Sequence, residues 1–207
     1  DFIGKAGKIE DLLTTSDIAK INAVGITTPQ EKAKLLLDDP RYKPWLNDYD
    51  LVHIPGDGNC LYRSIACGID YNKKIVEGMT SIDAIKTSLI SNEDVQLDMS
   101  IAYRFAAAKY INDNWESFGD FITEAKDDYY RDMTTTARWG GEGEIIALSE
   151  YCNQQKVVHS VNHYGKDAAT YNPQQPPHQP IYIIHTGAHY NLLLQKQGEK
   201  GRVIVNN

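Results

Sequence analysis

The stretch GDGNCLYRSIA, Gly56 to Ala66, sets one cysteine, Cys60, between a turn-forming Gly-Asp-Gly-Asn run and an apolar pattern. Leu61, Ile65, Ala66 and Ile69 recur at helical spacing, so Cys60 is expected at a helix N-terminus. There the helix dipole and unpaired N–H groups favour the thiolate, and such sites can bring a thiol pKa from ~8.5 down to ~3.5–7.5. The same N–H groups, with those of the glycine-rich turn, can face an oxyanion on a carbonyl that the sulfur attacks. Gly56 and Gly58 supply the backbone freedom for that turn. From this segment alone three readings stay open: a packing residue, as most free cysteines are, a metal ligand, or a nucleophile. Cys67, two turns along the same helix, and Cys152, closing IIALSEYCN, read as core.

A nucleophilic thiol needs a base within hydrogen-bond reach and a third group that orients the base. Among six histidines, His189 stands at a turn-to-strand edge with Asn191 two positions on, so in an extended strand both side chains share a face. His185 ends the preceding strand and is the nearest competitor. His53, His159, His163 and His178 read as structural or exposed. A metal site has little support in spacing, since no C-x-x-C pair occurs and the two H-x-x-x-H spacings, His159/His163 and His185/His189, lie in strand and turn segments rather than on a helix.

The elements that must position these residues follow from pattern and punctuation. Thr28-Pro29-Gln30-Glu31 spells a capping box with proline at the first helical position, predicting a helix over Pro29–Asp38. One or two short helices are expected upstream, before Gly25. Leu51–Ile54 reads as a strand that breaks at Pro55-Gly56. SIDAIKTSLIS, SIAYRFAAAKYIND and a segment from about Phe118 through FITEAKDDYYRDM carry helical patterns. A short helix is expected after Gly140-Gly141, then a strand in KVVHSVNHY. NPQQPPHQP, Asn172–Pro180, is a proline-rich loop unfit for a central strand. Ile181–Ile184 and Tyr190–Leu194 are strands about a Thr-Gly-Ala turn, and RVIVN closes the chain as a last strand.

The bulk properties bound the function. With 207 residues, 42% hydrophobic and 24% charged, the chain suits one folded domain with a proper core. No apolar run reaches the roughly 20 residues of a membrane-spanning helix. Three widely spaced cysteines suit a reducing compartment, so a cytoplasmic location is expected. A net charge of −7 disfavours a binder of phosphate backbones and suits a basic partner.

Three ordered segments resemble a known family. Asp57-Gly58-Asn59-Cys60-Leu61-Tyr62-Arg63-Ser64, then Trp139-Gly140-Gly141-Glu142 with Glu144 and IALS, then Gly187-Ala188-His189-Tyr190-Asn191 are similar to the signature blocks of the ovarian tumour (OTU) cysteine proteases. The resemblance, over about Leu51–Leu194, implies an α/β (α+β) papain-like fold with a small central sheet flanked by helices and a helical insertion lobe. It implies one catalytic domain over 1–207: an N-terminal helical segment (1–50), the nucleophile strand-turn-helix (51–71), the insertion (72–116) and the remaining core with the histidine strand (117–207).

By the same resemblance Cys60 is the nucleophile, His189 the base, Asn191 its orienter, and Asp57 shapes the oxyanion loop together with the Cys60 N–H. Trp139–Gly141 is a turn packed under the site. The implied activity is a deubiquitinase that hydrolyses the isopeptide bond after the C-terminal glycine of ubiquitin through a thioester. It needs no cofactor or metal and acts on ubiquitin or polyubiquitin chains, as a monomer with no nucleic-acid or membrane partner. The long interval between Cys60 and Trp139 is similar to that of bacterial effector members, which would act in a host cytosol. The alternatives are a ubiquitin-binding module without turnover, or a protease of the same fold acting on another ubiquitin-like modifier or a polyprotein.

Overall fold

The computed structural model describes residues 28–135, 138–161, 169–173, 179–196 and 201–206. The upstream helices, His163, His178 and most of the proline-rich loop fall outside these residues.

Helix α1 (Pro29–Asp38) starts as its capping box dictates, with Glu31 N–H donating to Thr28 Oγ1 (3.2 Å) and Thr28 N–H to Glu31 Oε2 (3.2 Å). Strand β1 (Tyr49–Val52) leads through the Pro55–Asn59 turn into helix α2 (Cys60–Val76). Helices α3 (Ser81–Thr87), α4 (Glu93–Asp113), α5 (Lys126–Thr135) and α6 (Glu142–Tyr151) follow. The chain then supplies β2 (Lys156–Ser160), β3 (Ala169–Tyr171), β4 (Ile181–His185), β5 (Tyr190–Gln195) and β6 (Val203–Ile204).

The strands form one mixed sheet in the order β3-β2-β4-β5-β1-β6. The β4–β5 hairpin and the β1–β5 pair are antiparallel, while β2–β4 and β1–β6 run parallel. Alternation along β5 divides the core. Leu192 and Leu194 join α2, α4 and α6 through Ile65, Ile111 and Leu148, whereas Leu193 lies with Leu51, Leu36 and Tyr42 under the α1 segment. The architecture is thus mixed α/β, a sheet flanked by helices. The helices between residues 81 and 113 bury Ala84, Ile90, Ala107, Ala108 and Ile111 in the same apolar cluster as α2.

Two elements depart from pattern. The helical reading from Phe118 fails up to Ala125: helix α5 begins only at Lys126, and Phe118 and Ile122 are instead core anchors carried by a loop. Four-residue spacing of buried side chains is therefore met here without a helix. Strand β1 ends at Val52, short of Ile54, because the Ile54 N–H leaves the ladder and donates to the side chain of Asn191 (2.9 Å).

Candidate active site

Cys60 is the first residue of α2 and is buried, 4% exposed. Its own N–H opens the helix and so has no intrahelical acceptor. Gly58, at φ +85°, makes the left-handed step that turns the chain into the helix, a conformation costly for other residues. Asn59 caps α2 without a side-chain bond to it. Asp57 Oδ1 accepts the Asn59 N–H (3.0 Å), and Asp57 Oδ2 accepts from Arg63 Nε (3.0 Å) and Nη2 (2.5 Å). Arg63 in turn donates to Gln96 Oε1 of α4 (2.8 Å). Asp57 thus holds the turn's backbone and is itself held by an arginine in the first turn of the helix.

His189 and Asn191 lie on one face of the β5 chain, both fully buried. Asn191 Oδ1 accepts the Ile54 N–H (2.9 Å) and faces His189 Nε2 at 3.1 Å, while Asn191 Nδ2 donates to Tyr42 OH (3.3 Å). A main-chain N–H can only donate, so the amide atom facing it must be the oxygen. His189 Nε2 faces the same oxygen and must carry the proton. Nδ1 is therefore the bare nitrogen, and it has no hydrogen-bond partner among the described residues. A buried base with its lone pair free is what a thiol proton acceptor requires.

The two halves meet where β5 begins. Main-chain N–H groups of Tyr190, the residue after His189, of Leu61 and of Cys60 itself lower the pKa of the Cys60 thiol. These groups favour the thiolate, as the helix-terminus argument expects, but burial outweighs them and pushes the thiol up to about 11. The lowered pKa expected from the sequence is not met, because burial outweighs the helix-terminus effect. Burial, and next the nearby His53, pull His189 down to about 3. Thiol and imidazole are therefore both neutral near pH 7.

Two other histidines have aromatic partners of their own. His185 stacks on Tyr190 with centroids 4.3 Å apart, and His159 packs between Trp45, Tyr49 and Tyr182. Cys67 is fully buried. No group of three or more His, Cys, Asp or Glu is arranged to hold a metal among the described residues.

The Trp139-Gly140-Gly141 segment packs against the first turn of α2. A Cβ on Gly140 would lie 2.6 Å from Leu61 Cδ2 and 2.8 Å from Tyr62 OH, so any larger residue there forces these two side chains to shift. Glu144 fixes the segment by accepting the Gly141 N–H (2.6 Å) and the Tyr129 hydroxyl (2.5 Å).

Comparison with known proteins decides the family. The model of the OTU-like cysteine proteases matches residues 55–190, about two thirds of the chain. The chain belongs to the OTU-like cysteine protease family. The match runs from the turn before Cys60 to the residue after His189. Among relatives, it is 29% identical over 157 residues to OVARIAN TUMOR DOMAIN-containing deubiquitinating enzyme 4 of Arabidopsis thaliana, covering 71% of this chain and 44% of that protein. It is 28% identical over 159 residues to ubiquitin thioesterase otu2 of Schizosaccharomyces pombe, covering 70% and 45%. The chain thus matches less than half the length of either relative. A ceOTUB1 complex with ubiquitin aldehyde shares the fold, with a TM-score of 0.58 at 17% identity over 86% of this chain and 91% of that one.

Within this OTU domain, three contributors to the site had gone unread in the sequence. Tyr42 braces Asn191 from the α1 side, the Ile54 N–H fixes the amide's orientation, and Arg104 of α4 bonds to Gly58 and Asn59.

Proposed function

We propose that this domain is a thiol-dependent deubiquitinase that cleaves the isopeptide bond after the C-terminal glycine of ubiquitin. The observation that carries the reading is the Ile54–Asn191–His189 chain, which leaves His189 Nδ1 unprotonated and without a hydrogen-bond partner among the described residues. Family membership and relatives named as a deubiquitinating enzyme and a ubiquitin thioesterase support the substrate.

In this scheme Cys60 passes its proton to His189 Nδ1 as the sulfur attacks the glycine carbonyl carbon. The carbonyl oxygen becomes an oxyanion facing the Cys60 N–H. Collapse of the tetrahedral intermediate breaks the C–N bond, and His189 returns the proton to the departing lysine amine. Water then attacks the thioester, His189 takes its proton, and release of the ubiquitin carboxyl group regenerates the Cys60 thiol. Asn191 keeps the imidazole in the required tautomer throughout, and Asp57 holds the turn that presents the Cys60 N–H. All three cysteines are free thiols, consistent with action in a reducing compartment such as the cytoplasm.

Hydrolysis of ubiquitin conjugates by the purified domain tests the reading. Wild type is expected to release ubiquitin, and Cys60→Ala to abolish turnover while still binding ubiquitin. Undiminished hydrolysis by Cys60→Ala would sink the proposal.

A further inference from the structure

Arg104 lies in the middle of α4, is 4% exposed, and reaches across to the turn that precedes Cys60. Its Nε donates to Asn59 Oδ1 (2.8 Å) and its Nη2 to the Gly58 carbonyl (2.6 Å). Nη1 donates to the Arg138 carbonyl (2.7 Å) and, at longer range, to that of Met133 (3.4 Å). The guanidinium also lies over the Tyr62 ring, 4.7 Å from its centroid. All four acceptors are uncharged oxygens, so the value of this arginine lies in geometry, a rigid planar fork whose donors meet fixed acceptors. The same fork ties the nucleophile turn to the residue preceding Trp139-Gly140.

The Gly58–Asn59 peptide is consequently held at both ends. Its carbonyl accepts from Arg104, and its N–H donates to Asp57 Oδ1 (3.0 Å), whose carboxylate is clamped by Arg63. This matters because turning that peptide over needs only a change of ψ at Gly58, which no side chain hinders, and a positive φ at Asn59, which asparagine tolerates better than most residues. Gly58 stands at φ +85° and Asn59 at φ −103°, immediately before the residue whose N–H opens α2. A released peptide plane would turn and carry the Cys60 N–H out of line.

We propose that Arg104 is a positioning residue for acyl transfer at Cys60: together with the Asp57–Arg63 pair it locks the Gly58–Asn59 peptide and thereby fixes the Cys60 N–H where the oxyanion develops. The inference rests on the deubiquitinase reading for its substrate; the lock itself is read from the hydrogen bonds.

Two reactions of the same sulfur separate this role from general support of the fold. Hydrolysis of a ubiquitin C-terminal aminomethylcoumarin amide passes through an oxyanion. Alkylation of Cys60 by iodoacetamide displaces iodide from saturated carbon and forms none. Both are measured on wild type, Arg104→Gln and Asn59→Ala, with Cys60 alkylation followed by peptide mass and folding by thermal melting. Arg104→Gln is expected to lower kcat about 100-fold with KM and the alkylation rate each within about threefold of wild type, the pattern of a lost transition-state contact. Asn59→Ala removes one tooth of the fork at a half-buried position and is expected to show the same selective pattern at about tenfold, which keeps the test available if Arg104→Gln does not fold. A kcat within about twofold of wild type in a folded variant, or hydrolysis and alkylation falling in parallel, would overturn the assignment. A wild type that turns over no ubiquitin amide contradicts the substrate reading, and the assignment falls with it; the wild-type control tells the two failures apart.

Discussion

Asn191 Oδ1 receives two N–H groups, one from the Ile54 main chain and one from the His189 ring, and an asparagine amide has only one oxygen to offer. The tautomer of His189 is therefore set by a backbone amide through a side chain, with Tyr42 closing the arrangement on the far side. Replacing Asn191 by Ala removes this constraint and leaves the Ile54 N–H buried and unpaired. Steady-state kinetics on Asn191→Ala should show kcat lowered on the order of 100-fold with KM little changed, as expected when a base loses its orienting partner. An unchanged kcat would show that packing alone orients the ring. The His189–Asn191 pair was legible in sequence because an i, i+2 relation in a strand is a local rule. Its supports were not, since Ile54 and Tyr42 stand 137 and 149 residues from Asn191 and no local pattern marks them. The thiol's environment was legible in part. Sequence placed Cys60 at a helix N-terminus, yet the burial that raises its pKa to about 11 comes from the packing of distant elements.

The elements best read in advance were those with chemical punctuation at their ends. Helix α1 spans Pro29–Asp38 because its capping box and N1 proline fix where it begins, and α2 begins at Cys60 because a glycine turn delivers the chain there. Between Phe118 and Ala125 pattern alone was misleading, because a loop that anchors Phe118 and Ile122 in the core mimics a helical repeat. The Trp139-Gly140-Gly141 turn was expected to pack under the site, and the structure supplies the reason for its glycine. A methyl group on Gly140 would meet the Leu61 side chain and the Tyr62 hydroxyl, both in the first turn of α2. Gly140→Ala should therefore destabilise the domain by about 1–3 kcal/mol, the usual cost of overpacking, and lower activity beyond that by displacing the start of α2. Urea unfolding together with kcat checks both effects; a fully stable and fully active variant would show that the contact relaxes freely.

At the scale of the molecule, the ends of β1 and β5 hold two neutral histidines, half-buried His53 and fully buried His189. Burial, and next Lys32 of α1, lowers His53 to about 4, and burial with His53 lowers His189 to about 3. In the unfolded chain both titrate near the ordinary value of about 6.5. Between that pH and about 4 the unfolded state binds protons that the folded state refuses, so stability falls as pH falls, by up to about 1.4 kcal/mol per pH unit for each group. The unfolding free energy should accordingly drop from pH 7 to pH 5, and His53→Gln should make the slope shallower. A slope unaffected by the substitution would contradict the burial argument for His53. The sheet order itself was not legible: pairing of β6 with β1 in parallel, and of β5 between β4 and β1, is set by long-range register that single-sequence patterns do not contain.

The proposed reaction turns on Cys60 being a nucleophile directed at the ubiquitin C-terminus. Its most direct test is the intact mass of the domain after incubation with ubiquitin carrying a C-terminal propargylamide, for wild type and Cys60→Ala in parallel. A covalent adduct of one ubiquitin is expected on wild type and none on Cys60→Ala. A folded wild type that gains no ubiquitin, or a Cys60→Ala protein that still does, would contradict it.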